Sequence, residues 1–166
     1  MDAININKQD LNKIVMNYLL VEGYQSAAEK FTQECGIKAD MEYTLIGKRR
    51  EIRVNIQKGK IVEAVELIND INPEILDNDD ELYFNLKKQK LIELIKENKP
   101  KEAIEFSQGA LAEKAMNNPV FLDQIEEVMA LLAFENLSEC PLKKLIDISE
   151  RQKLASQVNE AILVSQ

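Results

Sequence analysis

Apolar residues recur at helical spacing along most of the chain. The first stripe follows the pattern i, i+3, i+4, i+7 and i+8, and it consists of Leu11, Ile14, Val15, Tyr18 and Leu19. Asp10 stands just before this stripe as a candidate N-cap. Gly23 can adopt the left-handed conformation that closes a helix. The pattern therefore predicts a first helix that ends at Gly23.

A second short stripe follows at once. It occupies i, i+3, i+4 and i+7 and consists of Tyr24, Ala27, Ala28 and Phe31, with Gly36 as the natural stop. The two small alanines would let this helix approach the first one closely. Helices of about three turns are marginal in water without tertiary packing, and two of them cannot cover both stripes. We expect this hairpin to pack on a third element, on a second copy of itself, or on both.

The middle of the chain contains an internal repeat. Helices are predicted over residues 41–59 and 60–71, with a break at Pro73, and a further helix capped by Asp79 or Asp80 runs to about residue 97. At an offset of 39 residues, the difference between positions 59 and 98, Gly59 matches Asn98 and the segment EAVEL matches EAIEF. Gly and Asn are the residues that most readily take a left-handed helix end. The repeat predicts a helix, a tight turn and an antiparallel helix, twice over.

Two more helices are predicted towards the C-terminus. One starts after Pro119, a connection covers residues 137–141, and the last helix begins near Leu142 or Ser149. Its apolar positions are Leu154, Val158, Ala161 and Ile162. This stripe continues to the end of the sequence without a stop signal, so we expect the chain to be cut there.

Composition agrees with an all-α soluble fold. Gly and Pro number only 5 and 4 among 166 residues, and the chain is 45% apolar and 30% charged. No apolar run approaches the roughly 18 residues of a membrane span, and the first residues do not resemble a signal peptide. Cys35 and Cys140 are predicted to be free thiols, which favours a reducing compartment, the cytoplasm or the nucleus.

Charge and residue types exclude most chemistry. The net charge of −8 argues against nucleic-acid binding. The sequence has no histidine, which removes the commonest general base and metal ligand. The acidic run from Asp77 would need Gly and Glu at the sixth and twelfth positions of a calcium loop, where Leu82 and Lys88 stand. A helix-capping turn is the better interpretation. We predict no enzyme activity, no cofactor and no metal site.

The opening segment resembles a LisH motif. The resemblance is carried by "DLNKIVMNYLLVEGYQSAAEKFTQECGI". The segments "RREIRVNIQKGKIVEAVELINDINPEIL" and "LYFNLKKQKLIELIKENKPKEAIEFSQGALAE" are similar to a CTLH domain, and "MALLAFEN" with "RQKLASQVNEAIL" resembles the first part of a CRA domain. The implied domains are LisH at 8–38, CTLH at 40–104 and a partial CRA domain at 105–166, since family members continue further.

This resemblance implies a function. LisH–CTLH–CRA proteins include the scaffold subunits of GID/CTLH ubiquitin ligases, in which LisH units dimerise and CTLH and CRA helices bind sister subunits, including RING-bearing ones. The chain itself has no RING pattern of Cys and His, so the resemblance implies a non-catalytic scaffold that forms a homodimer or heterodimer. The implied dimer face consists of Leu11, Ile14, Val15, Tyr18, Leu19, Tyr24, Ala27, Ala28 and Phe31.

Two alternatives stay open at this stage. An intramolecular core explains the apolar stripes of the later helices. Residues 11–31, by contrast, would leave too much apolar surface uncovered. The repeat also fits a freestanding helical-repeat adaptor that holds a peptide in a groove, which would work as a monomer.

Overall fold

The computed structural model describes residues 7–22, 24–36 and 41–166. The described residues form helices joined by short turns and contain no β-strand, which confirms the predicted all-α fold. The N-terminal helices are α1 (Lys8–Glu22), α2 (Gln25–Cys35) and α3 (Met41–Gln57). The chain divides into two compact units, 1–51 and 52–166, so their boundary falls within α3.

Helix α1 begins earlier than the sequence indicated. The Asn7 side chain accepts a hydrogen bond from the Gln9 amide at 3.3 Å, and its carbonyl accepts one from the amide of Leu11 at 3.0 Å. Asn7 is therefore the cap, and the prediction that Asp10 caps α1 is wrong: Asp10 lies in the first turn, where its charge favours the helix dipole. Gly23, the predicted end of α1, lies outside the described residues, as does the predicted domain boundary at 38–40.

The second unit contains the remaining helices. They are α4 (Ile61–Ile71), α5 (Glu74–Asp77), α6 (Asp80–Lys96), α7 (Pro100–Phe106), α8 (Ala112–Ala115), α9 (Pro119–Met129) and α10 (Ile148–Val164). A π-helical turn, Ser107–Leu111, joins α7 to α8, and 3₁₀ turns occupy Ala130–Ala133, Leu137–Glu139 and Lys143–Ile146. The last helix thus begins at Ile148, next to one of its two predicted starts.

Short polar side chains cap α6, α9 and α10. Asp79 Oδ1 accepts the amide of Leu82 at 2.9 Å at the start of α6, which supports the helix-capping interpretation of the acidic run. Asn118 Oδ1 accepts the amide of Val120 at 3.1 Å at the start of α9. Asp147 caps α10, and its hydrogen bonds from the backbone and side chain two residues on lower the pKa of its carboxyl. These starts follow from local sequence alone.

The internal repeat is present in the structure as two similar turns. Gly59 and Asn98 both have left-handed backbones, with φ of 77° and 57°. In each turn the lysine that follows donates its amide to the carbonyl five residues back, at 2.8 and 3.0 Å. Ala64 and Ala103, the matching small residues of the next helices, are completely buried. The sequence repeat therefore corresponds to two turns that share the same backbone geometry.

Helix α6 is the centre of the second unit. It contacts α4, α5, α7, α9 and α10. Its buried apolar residues point around the whole helix rather than along one stripe, and they are Leu82, Phe84, Leu86, Leu91, Ile92, Leu94 and Ile95. The Phe84 ring stacks on that of Phe121 of α9, with 4.0 Å between the centroids.

One ion pair joins three parts of this unit. Both carboxylate oxygens of Glu93 in α6 accept hydrogen bonds from Arg151 of α10. The Nε–Oε1 distance is 2.8 Å and the Nη2–Oε2 distance is 2.5 Å. Gln89 donates to the same carboxylate at 2.7 Å. Arg151 Nη1 also donates to the carbonyl of Gln57 at 3.1 Å, at the end of α3. A Cβ on Gly59 would lie 2.7 Å from both Arg151 Nη2 and Glu93 Oε2, so the turn approaches the pair too closely for a side chain.

The pair is charged although it is largely buried. Burial pushes the pKa of Glu93 upward, but hydrogen bonds from Arg151 and Gln89, together with the charge of Lys96, hold that pKa below its ordinary value. The hydrogen bond to Glu93 raises the pKa of Arg151 in turn. Only about 6% of the Glu93 side chain and 17% of that of Arg151 are exposed.

We predict that Gly59→Ala destabilises the second unit more than Asn98→Ala does. Both changes place Ala in a left-handed turn, at a cost of about 1 kcal/mol. Only the methyl group at position 59 also collides with the ion pair, so an additional loss of about 1–3 kcal/mol is expected. Urea unfolding measures both. Equal losses in the two variants would show that the close approach carries no cost.

Removal of Arg151 is expected to be costly because it leaves a buried charge. We expect Arg151→Met to lower the free energy of unfolding by about 3–5 kcal/mol, and the double variant Glu93→Leu with Arg151→Met to regain much of this loss. Since the folded pKa of Glu93 lies below the unfolded one, the pair stabilises fully above the ordinary carboxyl pKa and loses its effect as pH falls through the folded value. Unfolding curves at neutral and acidic pH test this, and a pH-independent difference between the wild type and Glu93→Leu would contradict it.

Candidate protein interface

Helix α1 carries an exposed apolar stripe. Leu11, Ile14 and Tyr18 have 50%, 62% and 59% of their surface exposed. Their spacing of three and four residues places them side by side along the helix. Large apolar side chains that share one exposed face are typical of protein–protein contact sites. We name these three residues the outer stripe of α1.

Helix α2 covers a different side of α1. Thr32 Oγ1 of α2 lies 3.7 Å from Met16 Sδ, and only 3% of the Met16 surface is exposed. Val15 and Leu19 lie between the two sides and are half-buried. At 3.6 residues per turn, Met16 points roughly 160° away from Ile14. The intramolecular contact therefore leaves the outer stripe uncovered within this unit.

Helix α2 is also divided between a covered and an open side. Ala28 is buried, and the Thr32 hydroxyl donates to its carbonyl at 2.8 Å. Phe31 is half-buried, whereas Ala27 is exposed and 56% of the Tyr24 surface is exposed. The expectation that both alanines sit at a close helix contact is thus wrong for Ala27, because it points away from the covered side. Tyr24 and Ala27 extend the open apolar surface onto α2.

The nine residues of the implied dimer face consequently fall into three groups. Five are exposed, namely Leu11, Ile14, Tyr18, Tyr24 and Ala27; Val15, Leu19 and Phe31 are half-buried; and Ala28 is buried inside the chain. Sequence reasoning missed Met16, which carries the intramolecular contact. The signal was available, because Met16 neighbours Val15 and widens the apolar arc of α1 beyond the stripe of strict i, i+3, i+4 positions.

The residues that the structure describes contain no candidate metal cluster and two free cysteines. No group of three or more His, Cys, Asp or Glu within the described ranges could hold a metal ion. None of the helices that the structure describes is both long and apolar enough to cross a membrane. The thiols of Cys35 and Cys140 are free, the first half-buried and the second buried, as predicted.

The second unit exposes apolar side chains of its own. They are spread over several elements and comprise Val62, Ile104, Met116, Val120, Leu122, Phe134, Ile148, Leu163 and Val164. Single exposed apolar residues are normal on protein surfaces.

Comparisons with known proteins agree with the resemblance in the sequence. A LisH family model matches residues 9–34, and the model of the CTLH/CRA C-terminal to LisH motif domain matches residues 45–166. A relative named "Protein GID8 homolog" from Arabidopsis thaliana is 46% identical over 166 residues, which cover 100% of this chain and 68% of the relative.

Two further relatives come from distant organisms. The "Glucose-induced degradation protein 8 homolog" of Dictyostelium discoideum is 47% identical over 98% of this chain and 72% of its own length. A protein of Schizosaccharomyces pombe named "GID complex subunit 8" is 33% identical over 99% of this chain and 72% of its own length. The similarity therefore spans both structural units.

We predict that Met16→Ala destabilises the N-terminal unit by about 2–5 kcal/mol, since it leaves a cavity at a buried contact. Asn17→Ala is the matched control, because Asn17 is the exposed neighbour on the same helix turn. Hydrogen exchange of the amides of α1 and α2 measures the local effect. Equal protection in the two variants would mean that Met16 does not hold the two helices together.

Proposed function

Because the chain belongs to the family of proteins with a LisH motif followed by a CTLH/CRA domain, we propose that it is a non-catalytic scaffold subunit of a GID/CTLH-type ubiquitin ligase. The observation that carries the proposal is the outer stripe of α1, a set of large apolar side chains that α2 leaves open. The names of its relatives support the choice of complex.

In this proposal the outer stripe is one half of a LisH dimer. A two-fold dimer uses the same patch on both copies, so each apolar residue contributes twice. Full burial of a large apolar side chain stabilises by about 1.5–3 kcal/mol, and Leu11, Ile14 and Tyr18 still have half or more of their surface to bury. Association also costs several kcal/mol of lost freedom. Tyr24, which immediately precedes α2, would supply the additional contact area that such a dimer needs, together with Ala27 and Phe31 of α2.

The second unit would bind sister subunits. A scaffold must hold more than one partner, and the exposed apolar residues of the CTLH/CRA region provide separate contact area for them. Ubiquitin transfer would come from RING-bearing partners, because a chain with no His and two Cys cannot build the zinc sites of a RING. The free thiols favour a reducing compartment, and we place this function in the cytoplasm and nucleus.

A second candidate function rests on the duplicated turn at Gly59 and Asn98. Such turns also build helical-repeat adaptors that hold a peptide in a groove. An adaptor of that kind would act as a monomer, whereas a LisH scaffold would be at least a dimer. The mass of the chain in solution therefore separates the two.

We expect sedimentation equilibrium to give at least a dimer mass for the wild-type chain. The double variant Ile14→Asp with Tyr18→Asp should be monomeric, because four carboxylates would meet in one apolar contact. A matched control is Val62→Asp with Ile104→Asp, which adds the same charge at exposed apolar positions of the second unit. It should keep the wild-type mass. A monomeric wild type would refute the dimer.

Partner binding provides a separate check. A pull-down of the tagged chain from cell lysate, read by mass spectrometry, should recover RING-bearing LisH–CTLH subunits. Recovery should fall with Ile14→Asp and Tyr18→Asp if the partner also binds through its LisH motif. Recovery of the chain alone would contradict the scaffold function.

A further inference from the structure

A groove of about 610 Å³ crosses the second unit where α5, the start of α6 and the end of α10 meet. Its floor is apolar. Ile75 and Leu82 are buried beneath it, Ala161 is half-buried, and Val164 is exposed at the end of α10. Grooves of this size with an apolar floor are common binding sites. We name it the acidic groove because acidic side chains line it.

Carboxylate side chains line the edges of the acidic groove. Glu74, Asp79, Glu81 and Glu160 line it, and all four are exposed. No Lys or Arg is found among the described residues that line it. Charges of one sign around a concave apolar surface concentrate their field inside it. The groove is therefore electrostatically suited to a cation.

The charge continues into a neighbouring groove. A second groove of about 680 Å³ lies against the starts of α6 and α9, and Glu81 and Asn85 line both grooves. Its lining includes Asp80, Glu113 and Lys114. The charge of Lys114 is already engaged, because its ammonium group pairs with Asp80. Within the second groove Asp80 is therefore paired and Lys88 donates to Gln124 at 2.9 Å, so Glu81 and Glu113 carry its remaining negative charge.

Amide side chains complete the acidic groove. Asn72, Asn78, Asn85 and Gln157 line it, and the amide nitrogen of Asn85 lies 3.5 Å from the amide oxygen of Gln157 on the opposite wall. An amide side chain both donates and accepts hydrogen bonds. Such groups match the alternating donors and acceptors of a peptide backbone, which a metal ion or a simple polyamine does not present.

We propose that the acidic groove binds a Lys- or Arg-rich amphipathic segment of a partner protein. The cationic side chains would pair with Glu81 and Glu160, and apolar side chains on the same segment would cover Ala161 and Val164. The sign of the charge rejects nucleic acid and anionic lipid. The inference rests on the proposed function in one respect, since it names the chemistry of a partner that a scaffold subunit would hold.

Fluorescence anisotropy of short labelled peptides tests the groove on the full chain. The probe is a peptide of alternating Leu and Lys, with a Leu–Glu peptide and a Ser–Lys peptide as controls for charge and for apolar contact. We expect the Leu–Lys peptide to bind most tightly, with affinity that falls as salt rises. Equal affinity for the Ser–Lys peptide, or full displacement by spermine at equal charge concentration, would show a site for free cations and overturn the inference.

Charge reversal places the binding in the groove. Glu81→Lys with Glu160→Lys should weaken the Leu–Lys peptide by about tenfold or more, as expected for the loss of two ion pairs and the gain of two repulsions. The matched control is Glu66→Lys with Glu126→Lys, which makes the same net change at exposed positions away from either groove. It should weaken binding by less than about threefold. Equal weakening by both double variants, or none by either, would overturn the inference.

The oligomeric mass keeps this test apart from the proposed function. The milder variant Glu81→Gln with Glu160→Gln replaces the reversal if the latter does not fold. Suppose that the groove variants keep the wild-type mass but the wild-type chain does not bind the Leu–Lys peptide. The groove inference is then refuted, and the proposed dimer is not. If the wild type binds the peptide but is monomeric, the dimer falls and the groove stands.

Discussion

A largely buried ion pair determines how the second unit is assembled. A buried carboxylate without a partner is strongly destabilising, so Glu93 of the central helix requires Arg151 of the last one. Arg151 then reaches the carbonyl of Gln57, and the turn that follows must pass so close that only Gly59 fits. The end of α3, the centre of α6 and the start of α10 are thereby held in one arrangement. The ion pair therefore ties the start of α10 to α6 and to the end of α3.

The first unit presents the opposite situation, an apolar surface with too little protein to cover it. Apolar residues occupy more of the circumference of α1 than one short helix can contact. Helix α2 covers the side of α1 that contains Met16, and the side that contains Ile14 stays exposed. A hairpin whose apolar surface is incompletely covered is suited to assembly with another protein. The proposed scaffold function depends on this difference.

Local features of the fold could be predicted from the sequence, and long-range ones could not. Gly59 and Asn98 stood out because few residues tolerate a left-handed turn. The cap of α1 is Asn7 and not the predicted Asp10. Asn and Asp are both good N-caps, so the local sequence does not distinguish between them. Nothing near Glu93 in the sequence points to Arg151, because their contact depends on the packing of two distant helices.

The candidate interface shows the same limit. The helical stripe predicted which side of α1 is apolar, but the division of that side between α2 and solvent depends on the angle at which two helices meet. For this reason Met16 was missed and Ala28 could not be separated from Ala27. The prediction that Leu11, Ile14 and Tyr18 form a dimer face stays a prediction.

The most direct test is the concentration dependence of amide hydrogen exchange in the wild-type chain. If a second copy covers the outer stripe of α1, protection of the amides in α1 and α2 will rise with protein concentration, because the dimer population rises. Protection in α6, the core of the second unit, should not depend on concentration. Exchange in α1 that is the same at every concentration, with a monomer mass throughout, would contradict the account.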